Sequence, residues 1–300
     1  MSKSEPLSLD QLHVLLLVAE AGSFAGAARR LKRATSAVSY AVDTLEAHLG
    51  VKLFDRGTTR RAKLSRAGEA LVAEAKALAY SEQMLRARVK GLQEGLETEV
   101  SLAVDAMFPS ERLVKLLKSF QIKFPTVPLR LRIEALGQIE RTLRSGTAHI
   151  AIACGVHMKS EGLRVIQLRG VDLIAVSAPG HPLAQARDSK LGATREHLQL
   201  VLTEHSSETR DHSVVSLNVW RIGDLALKHA LLLAGVGWGS MPEPMVRADL
   251  HAGRLVHLQL LDFRGGVYAL QVAYKNDTPP GPAGQWLIEC LLDQDDHIDQ

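Results

Sequence analysis

The chain has few cysteines, no long apolar run and no recognisable signal peptide. Only two of its 300 residues are cysteines, Cys154 and Cys290, which excludes a disulfide framework and is typical of a reducing compartment. No apolar run approaches the ~20 residues that a transmembrane helix needs. The first residues, MSKSEPLSLDQ, lack the apolar core of a signal peptide. We therefore expect a soluble, cytoplasmic protein.

Motifs for catalysis and cofactor binding are also missing from the sequence. Twelve histidines are present, but none has the spacing of a zinc motif such as HExxH, and no GxSxG elbow occurs. The glycine-rich run from Gly235 to Gly239 follows a predicted helix over 224–234, whereas a dinucleotide-binding loop follows a strand. The sequence therefore predicts no enzyme, no cofactor and no metal site.

Charge is distributed unevenly along the chain. The formal net charge of the whole protein is only +3. Residues 1–64 alone hold ten lysines and arginines against six acidic residues, a net charge of +4, so the remainder is near neutral. The basic residues cluster at 29–33 and 52–66, as the phosphate contacts of a nucleic-acid-binding protein would.

The same basic segment has the periodicity of short helices. Ser8 is a predicted N-cap for a first helix from Leu9 to about Glu20, Gly22 ends this helix, and Ser23 caps the next one. The second helix has one apolar face, on which small alanines permit a close helix crossing; this face comprises Phe24, Ala27, Ala28 and Leu31.

A third helix is predicted to begin near Thr35 or Ser36, either of which can cap it, and to stop at Gly50. Apolar residues at spacings of four, three and four form its buried stripe: Val38, Val42, Leu45 and Leu49. The opposite face carries short hydroxyls, one phenol and one acid: Thr35, Ser36, Ser39, Tyr40 and Asp43. Hydroxyls and phenols can approach base edges or phosphates without filling the groove.

Two alternating segments, VKLFDR and RRAKLS, follow around Gly57 and predict a β-hairpin wing tipped by Arg60 and Arg61. Arginines at such a tip enter the adjacent minor groove or hold phosphates. Three helices and a wing are the layout of a winged helix-turn-helix, which lays its third helix in the major groove. The alternative is an ordinary solvated helical domain with scattered arginines.

This region resembles the LysR-type transcriptional regulators. SFAGAARRL, SAVSYAVDTLEAHLG, VKLFDR and LSRAG occur in the order of the family pattern SFxxAAxxL…S…S…LE…LGxxLFxR and its final L(T/S)xAG. The resemblance implies a reading helix over Thr35–Glu46 and a wing over Arg56–Lys63. Many members carry glutamine where Thr35 stands, so the operator sequence cannot be carried over. The predicted DNA contacts are Arg29, Arg33, Thr35, Ser36, Ser39, Tyr40, Arg56, Thr58, Arg60 and Arg61.

A proline-free stretch over 65–97 predicts a linker helix with a leucine repeat. The leucines are seven residues apart, at Leu71, Leu78, Leu85 and Leu92, and Glu82 interrupts the intervening register once. Such a repeat favours pairing with a second helix, although docking on its own domain is the commoner fate of an amphipathic helix. LysR-type proteins use this helix to pair chains. We therefore expect a homodimer that assembles into a homotetramer, on a palindromic DNA site.

Strands and helices alternate after Thr98, which predicts an α/β body with mostly parallel sheets. The resemblance implies a two-lobed, periplasmic-binding-protein-like (type 2) effector domain. The predicted fold is therefore α/β, with a winged helix-turn-helix over 1–64, the linker helix over 65–97 and the effector domain over 98–300. Lobe one is predicted over 98–166 and 267–300, and lobe two over 167–266, with crossovers near 168–170 and 263–266.

Ligands of such sheets collect beyond the carboxyl ends of the strands. This rule selects the candidate effector residues Asp105, Ala106, Met107, Ser110, Leu136, Cys154, Thr203, Glu204, His205, Met241 and Pro242, with Ser110 as a helix cap. Relatives that bind carboxylates commonly place Ser or Thr near Asp105 and sometimes Arg near Cys154. The departures predict a neutral, phenolic or cationic effector rather than a simple carboxylate, and an aromatic compound is one candidate. Asp105 has two simpler interpretations: it caps a helix or pairs with an arginine.

Cys154 also has two interpretations. A buried thiol that packs as a small hydrophobe is the simpler one, and a sensor of oxidants or electrophiles is the other. Relatives that sense peroxide pair two cysteines in lobe two, whereas Cys290 lies in the terminal helix, which disfavours a peroxide switch.

The sequence thus predicts a sequence-specific, DNA-binding transcriptional regulator of LysR type that a small-molecule effector controls. RNA polymerase is a candidate further partner. Two other classes remain open: a cleft enzyme or binding protein with an appended head, and an architectural DNA-binding protein. The missing catalytic motifs disfavour the first, and the two-lobed body disfavours the second.

Overall fold

The computed structural model describes residues 7–55, 62–134, 138–154, 160–185, 192–203, 214–263 and 265–296. Contacts within the chain group it into two compact units, Met1–Gly91 and Leu92–Gln300, and each unit has its own hydrophobic core. Among the helices of these ranges, none is long and apolar enough to cross a membrane.

The first unit begins with three helices, α1 (Leu9–Ala21), α2 (Phe24–Leu31) and α3 (Thr35–Leu49). A capping box fixes the start of α1. The Ser8 hydroxyl accepts a hydrogen bond from the backbone N–H of Gln11 at 3.2 Å, and the Gln11 side chain accepts one from the N–H of Ser8 at 3.1 Å. The predicted cap at Ser8 is confirmed.

Two glycines end helices in the left-handed conformation that side chains disfavour. Gly22 follows α1 with φ 62°, and Gly50 follows α3 with φ 68°. Ser23 caps α2, because its hydroxyl accepts a hydrogen bond from the N–H of Gly26 at 3.1 Å. These three predicted boundaries are confirmed.

The start of α3 differs from the prediction. The sequence predicts Thr35 or Ser36 as the N-cap, but Ala34 occupies that position in an extended conformation and no side chain caps the helix. Thr35 and Ser36 already belong to the first helical turn, and both are exposed. The prediction was wrong by one or two residues because capping preference cannot tell Ncap from N1.

The predicted stripe of α3 forms part of the core of this unit. Val38, Val42 and Leu45 are buried, and Leu49 packs at the margin. They meet α1, where Leu15 is fully buried. Burial of one such side chain contributes about 1.5–3 kcal/mol to stability. The burial of this stripe leaves the opposite face of α3 exposed to solvent.

A short hairpin and a long helix complete the first unit (Met1–Gly91), which we call the head. β1 (Phe54–Asp55) and β2 (Lys63–Leu64) pair antiparallel, with Phe54 opposite Leu64, which confirms the base of the predicted wing. Its predicted tip over 56–61 lies outside the described residues. α4 (Arg66–Gln93) follows, within the predicted helical stretch.

Nine strands of the second unit form one sheet within the described ranges, in the order β4-β3-β5-β11-β6-β9-β7-β8, with β10 paired to β6. The strands are β3 (Val100–Asp105), β4 (Leu129–Glu134), β5 (Ile150–Cys154), β6 (Leu163–Ser177), β7 (Gln199–Leu202), β8 (Val219–Ile222), β9 (Trp238–Pro242), β10 (Val256–His257) and β11 (Gly266–Lys275). The helices are α5 (Ser110–Lys123), α6 (Gln138–Arg144), α7 (Pro182–Gln185), α8 (Leu225–Leu233), α9 (Glu243–His251) and α10 (Pro282–Asp296), with a 3₁₀ turn over Ala193–Glu196.

The sheet divides into two parallel halves, which define the lobes. In lobe one, β3 lies parallel to β4 and β5. In lobe two, β7 lies parallel to β8 and β9. Separate apolar clusters fill the two halves, one including Leu102 and Leu287 and the other including Leu200 and Leu232. The predicted two-lobed α/β domain is confirmed.

Two antiparallel strands, β6 and β11, run between the lobes. The sequence predicts two separate strands where β6 is continuous over 15 residues, so the predicted crossover at 168–170 lies inside a strand. Gly170 is the reason that the two strands can lie so close there. A Cβ added to it would lie 2.4 Å from Cγ1 of Val267 and 2.9 Å from the carbonyl oxygen of Tyr268.

Sequence reasoning missed helix α9. The segment from Glu243 to His251 contains Pro244 in its first turn, and proline there is compatible with a helix because the first turn has no internal acceptors for its N–H groups. The sequence predicts no helix over this stretch, and the predicted strand LVHLQL is reduced to the two residues of β10.

Candidate DNA-binding surface and effector cavity

The outer face of α3 is the first candidate site. Tyr40 is 74% exposed, Thr35 and Ser36 are exposed, and Ser39 is partly exposed. The core stripe on the opposite side of the helix orients these four hydroxyl-bearing residues outward. They form a polar strip that is free to meet another molecule.

The nearby basic residues are not equivalent. The guanidinium of Arg33 donates two hydrogen bonds of 2.9 Å to the two carboxylate oxygens of Asp10, and this fork lowers the pKa of Asp10. Arg30 pairs more loosely with Glu20 at 3.6 Å. Arg29 is exposed and makes no ion pair among the described residues. Both pairs are largely exposed, and such pairs contribute only about 0–1 kcal/mol, so a phosphate can compete for either arginine.

Glu46 holds the base of the wing against α3. Its buried carboxylate accepts hydrogen bonds from the N–H groups of Leu53 at 2.7 Å and Phe54 at 3.2 Å, and from Nζ of Lys52 at 2.6 Å. Burial alone would raise the pKa of Glu46, but these hydrogen bonds outweigh it, so the pKa lies below its usual value. Glu46, the acid of the LE pair in the motif, therefore positions the hairpin.

The LSRAG segment, at the start of α4, also contacts the base of the wing. The Ser65 hydroxyl donates to the carbonyl oxygen of Lys52 at 2.5 Å and accepts from the N–H of Gly68 at 3.0 Å. A Cβ on Gly68 would lie 2.1 Å from the carbonyl oxygen of Leu53, so no larger residue fits there. Of the predicted DNA contacts, Arg56, Thr58, Arg60 and Arg61 lie outside the described residues.

The leucine repeat of α4 divides into two parts. Leu71 is partly buried and packs on the apolar cluster of the head, close to the buried Ala75. Leu78, Leu85 and Leu92 are 50%, 62% and 42% exposed. Docking on its own domain, one of the two sequence interpretations, thus describes the start of the helix, and the later leucines form an uncovered stripe.

A cavity of about 430 Å³ lies between the two lobes of the second unit. Lobe one contributes residues at the carboxyl ends of β3 and β4 and the start of α5, and lobe two contributes α8, the end of β9 and the start of α9. The lining residues are Ala106, Pro109, Ser110, Glu111, Ile133, Asp224, Leu225, Ala226, His229, Met241, Pro244 and Met245.

Three predicted effector residues line this cavity: Ala106, Ser110 and Met241. Ser110 begins α5, but the predicted capping role is wrong because Pro109 is the N-cap and no side chain caps the helix. Met107, Cys154, Thr203 and Pro242 are not part of the lining, and Leu136, Glu204 and His205 lie outside the described residues.

Asp105 does not point into the cavity as an open charge. It is 2% exposed, and its carboxylate accepts hydrogen bonds from the hydroxyl of Tyr268 at 2.8 Å and from the N–H of Met107 at 2.8 Å. Cys154, also buried, hydrogen-bonds to Tyr268 as well. Burial and the charge of Asp105 raise the pKa of Tyr268 far above its usual value. This buried cluster fits the packing interpretation of Cys154 better than the sensor interpretation.

The charged residues of the cavity were missed by sequence reasoning. Asp224 was recognised only as the start of a helix, where its Oδ1 accepts a hydrogen bond from the N–H of Leu227 at 2.6 Å. His229 follows one turn later, and its Nε2 lies 2.8 Å from Oδ2 of Asp249. Glu111 is the residue after Ser110. No sequence signal indicates that these three residues, more than 100 positions apart in the extreme case, line one cavity.

Groups of three or more metal-ligating side chains are absent from the described part of the chain.

An exposed hydroxyl-rich helix with a wing, joined to a two-lobed domain with a cavity between its lobes, defines a ligand-responsive DNA-binding protein. Residues 9–69 match the bacterial regulatory helix-turn-helix proteins of the lysR family, and residues 93–296 match the LysR substrate-binding domain. The chain belongs to the LysR family of DNA-binding transcriptional regulators and is not an enzyme.

The relatives agree with this assignment. The chain is 31% identical over 263 residues to the probable HTH-type transcriptional regulator YhaJ of Escherichia coli, covering 85% of this chain and 87% of that protein. Among solved structures it resembles CrgA of Neisseria meningitidis, with a TM-score of 0.53, 21% identity and coverage of 97% and 99% of the two chains. It also resembles full-length LysG of Corynebacterium glutamicum, described with bound effector Arg, with a TM-score of 0.51, 24% identity and coverage of 96% and 97%.

Proposed function

We propose that this LysR-type regulator reads its operator with the exposed hydroxyls of α3 and holds the DNA backbone with the surrounding arginines. Thr35, Ser36, Ser39 and Tyr40 would meet base edges, and this assignment rests on the outward strip opposite the buried stripe of α3. Arg29 and Arg33, beside the helix, would contact phosphates. So would the predicted wing residues Arg56, Thr58, Arg60 and Arg61.

The division between base and phosphate contacts has a direct test. Gel-shift titrations would compare a fragment from the DNA upstream of the gene with single-base variants of it. Arg29→Ala should weaken binding to all fragments alike and reduce the slope of log K against log salt concentration by about 1. Tyr40→Ala and Ser39→Ala should change the ranking of the variants. Equal losses on every fragment for all three proteins would refute the division.

The cavity between the lobes is the proposed effector site. Its walls come from both lobes, so a ligand there has different contacts when the angle between the lobes changes, and such a difference is what lets a ligand shift a conformational equilibrium. The volume and the apolar lining suit a small molecule with an aromatic body. Thermal-shift screening of aromatic compounds, with Ala226→Trp as a cavity-filling control, tests the site. Stabilisation that survives Ala226→Trp would contradict it.

The uncovered leucines of α4 are the proposed pairing surface of a homodimer. Leu78, Leu85 and Leu92 recur every seven residues, which suits a two-stranded helical contact. A two-fold dimer would require a palindromic operator with half-sites about one helical turn, or a multiple of it, apart. We also propose that two dimers associate into a tetramer. The protein would act in the cytoplasm and contact RNA polymerase.

A further inference from the structure

Resting on the proposed effector site, we propose that its ligand is a protonated amine with an apolar body, held between the carboxylates of Glu111 in lobe one and Asp224 in lobe two. The site itself is the cavity between the lobes. The charge of its walls sets the class of ligand.

The cavity wall carries acidic groups but neither a lysine nor an arginine among the described residues. Among the described lining residues, Glu111 and Asp224 are acidic, His229 is an imidazole, and neither lysine nor arginine is present. The other lining groups are the Ser110 hydroxyl and apolar side chains: Ala106, Pro109, Ile133, Leu225, Ala226, Met241, Pro244 and Met245. A carboxylate ligand would meet two like charges and neither a lysine nor an arginine, whereas an ammonium group would meet two opposite charges.

The carboxylate of Asp224 has one oxygen that can still accept hydrogen bonds from a ligand. Its Oδ1 caps α8 by accepting the hydrogen bond from Leu227, and within the described residues Oδ2 accepts no hydrogen bond. An ionised carboxylate offers about four lone-pair positions. The N-cap role fixes the position of the side chain at the mouth of α8, so the second oxygen is available to an ammonium donor without loss of the cap.

Glu111 faces lobe two across the cavity. Its charge contributes to the raised pKa of Arg247 in α9, after the larger effect of Glu243, which binds that guanidinium through two hydrogen bonds of 2.9 and 2.6 Å. Arg247 is thus already paired with Glu243. Glu111 makes no direct ion pair among the described residues, and an ammonium group can approach it without breaking one.

His229 adds a third acceptor. Its Nε2 contacts Oδ2 of Asp249, whose Oδ1 binds Arg254 at 2.6 Å. In the neutral ring, the tautomer with the proton on Nε2 donates to Asp249 and leaves Nδ1 as a hydrogen-bond acceptor. All three polar side chains other than Ser110 can therefore accept hydrogen bonds from an ammonium group.

The placement of the two carboxylates couples binding to the angle between the lobes. Glu111 belongs to α5 and Asp224 precedes α8, so an amine that contacts both is held by both lobes at once. Two carboxylates that approach each other without a cation between them repel. The amine removes this repulsion and favours the arrangement in which the lobes lie closest.

A matched series of probes tests the charge preference on the full chain. Isothermal titration calorimetry would compare 2-phenylethylamine, 2-phenylethanol and phenylacetate, which share a ring and differ in charge. We expect the amine to bind at least about ten-fold more tightly than the alcohol and the acid not to bind. Glu111→Gln and Asp224→Asn should each weaken amine binding about ten-fold or more. Asn retains the N-cap, so Asp224→Asn should still fold, and Glu69→Gln in α4 controls for the loss of one negative charge.

Two outcomes overturn the proposal: phenylacetate binding as tightly as the amine, or no binding of the amine at millimolar concentration. Ala226→Trp, at an exposed position of the cavity wall, separates this proposal from the proposed site. If phenylacetate binds and Ala226→Trp abolishes its binding, the effector site stands and the preference for a cation fails. If any probe binds Ala226→Trp with unchanged affinity, the effector site itself is wrong.

Discussion

The hydroxyl of Tyr268 donates a 2.8 Å hydrogen bond to the carboxylate of Asp105, a residue 163 positions earlier in the chain. Asp105 ends β3 in lobe one, and Tyr268 lies on β11, one of the two strands that run between the lobes, next to a shift in the register with β6. A buried hydrogen bond therefore joins the end of β3 in lobe one to β11, a strand that runs between the lobes. It also explains how the carboxylate of Asp105, a predicted effector contact, can be buried at 2% exposure.

Removal of this contact should destabilise the second unit. Tyr268→Phe keeps the ring but leaves the buried Asp105 carboxylate with one donor fewer, which costs about 1–3 kcal/mol. Urea unfolding followed by tryptophan fluorescence measures the loss, because all three tryptophans lie in this unit. Tyr274→Phe on the same strand is the matched control, since its hydroxyl makes no hydrogen bond among the described residues. Equal losses for the two variants would show that the contact with Asp105 contributes nothing.

Gly68 is predicted to be intolerant of a side chain. Its added Cβ would lie 2.1 Å from the Leu53 carbonyl oxygen, which is backbone and cannot turn away, so Gly68→Ala should displace the wing from α4. We expect the melting temperature of the head to fall by several degrees and DNA affinity to fall with it. Gly180→Ala, where the new Cβ meets no atom within 4 Å, should change neither. Normal DNA binding by Gly68→Ala would contradict this role.

Lys228 predicts a pH-dependent stability. It is 1% exposed, its Nζ donates to the carbonyl oxygen of Ser240 at 2.7 Å, and burial lowers its pKa from 10.5 to about 8. Between pH 8 and 10.5 the unfolded chain binds more protons at this residue than the folded chain, so stability rises with pH in that window. Below pH 8 the buried charge costs up to about 3 kcal/mol.

Lys228→Met removes this cost and is therefore expected to be more stable than the parent at pH 7, by an amount that shrinks as the pH rises from 8 to 10.5. Urea unfolding of both proteins at pH 7, 8.5 and 10 measures the difference. Leu232→Met, one turn further along α8, controls for a methionine in the same core. A difference that does not change with pH would mean that Lys228 is not charged at pH 7 in the folded protein.

The stripe on α4 predicts the state of association. Leu85 is 62% exposed in one chain, so Leu85→Glu should leave the fold intact and weaken a contact between two chains through buried, repelling charges. Analytical ultracentrifugation should show a lower mass for Leu85→Glu than for the parent. Gln83→Glu, exposed elsewhere on the helix, adds the same charge and should leave the mass unchanged. A parent chain that sediments as a monomer would contradict the pairing role.

Local signals in the sequence predicted the head well. Ser8, Gly22, Ser23 and Gly50 act through neighbours within four residues, so a pattern of caps and breaks carries the information. The cavity is different. Glu111 and Asp224 come together only because two lobes fold side by side, and the partner of Asp105 lies on a distant strand. Contacts of this range leave no periodic trace in the sequence.

Helix α9 and strand β6 show two further limits. The sequence predicts no helix over 243–251, yet α9 starts at Glu243, because Pro244 is compatible with a first turn. The family resemblance implies a crossover near 168–170, but β6 runs through this segment, where the missing side chain of Gly170 allows the close approach of β11. In both cases a residue that usually interrupts structure has a role in packing or capping that only the folded chain reveals.

The most direct test of the account is the salt dependence of DNA binding by the full chain. Fluorescence anisotropy would follow titration of a labelled duplex from the DNA upstream of the gene, between 50 and 200 mM salt, against a scrambled duplex of equal length. The account predicts tighter binding to the upstream duplex, a steep loss of affinity with salt on both, and a reduced preference between them for Tyr40→Ala. Binding that is absent, insensitive to salt, or equal on the two duplexes would contradict it.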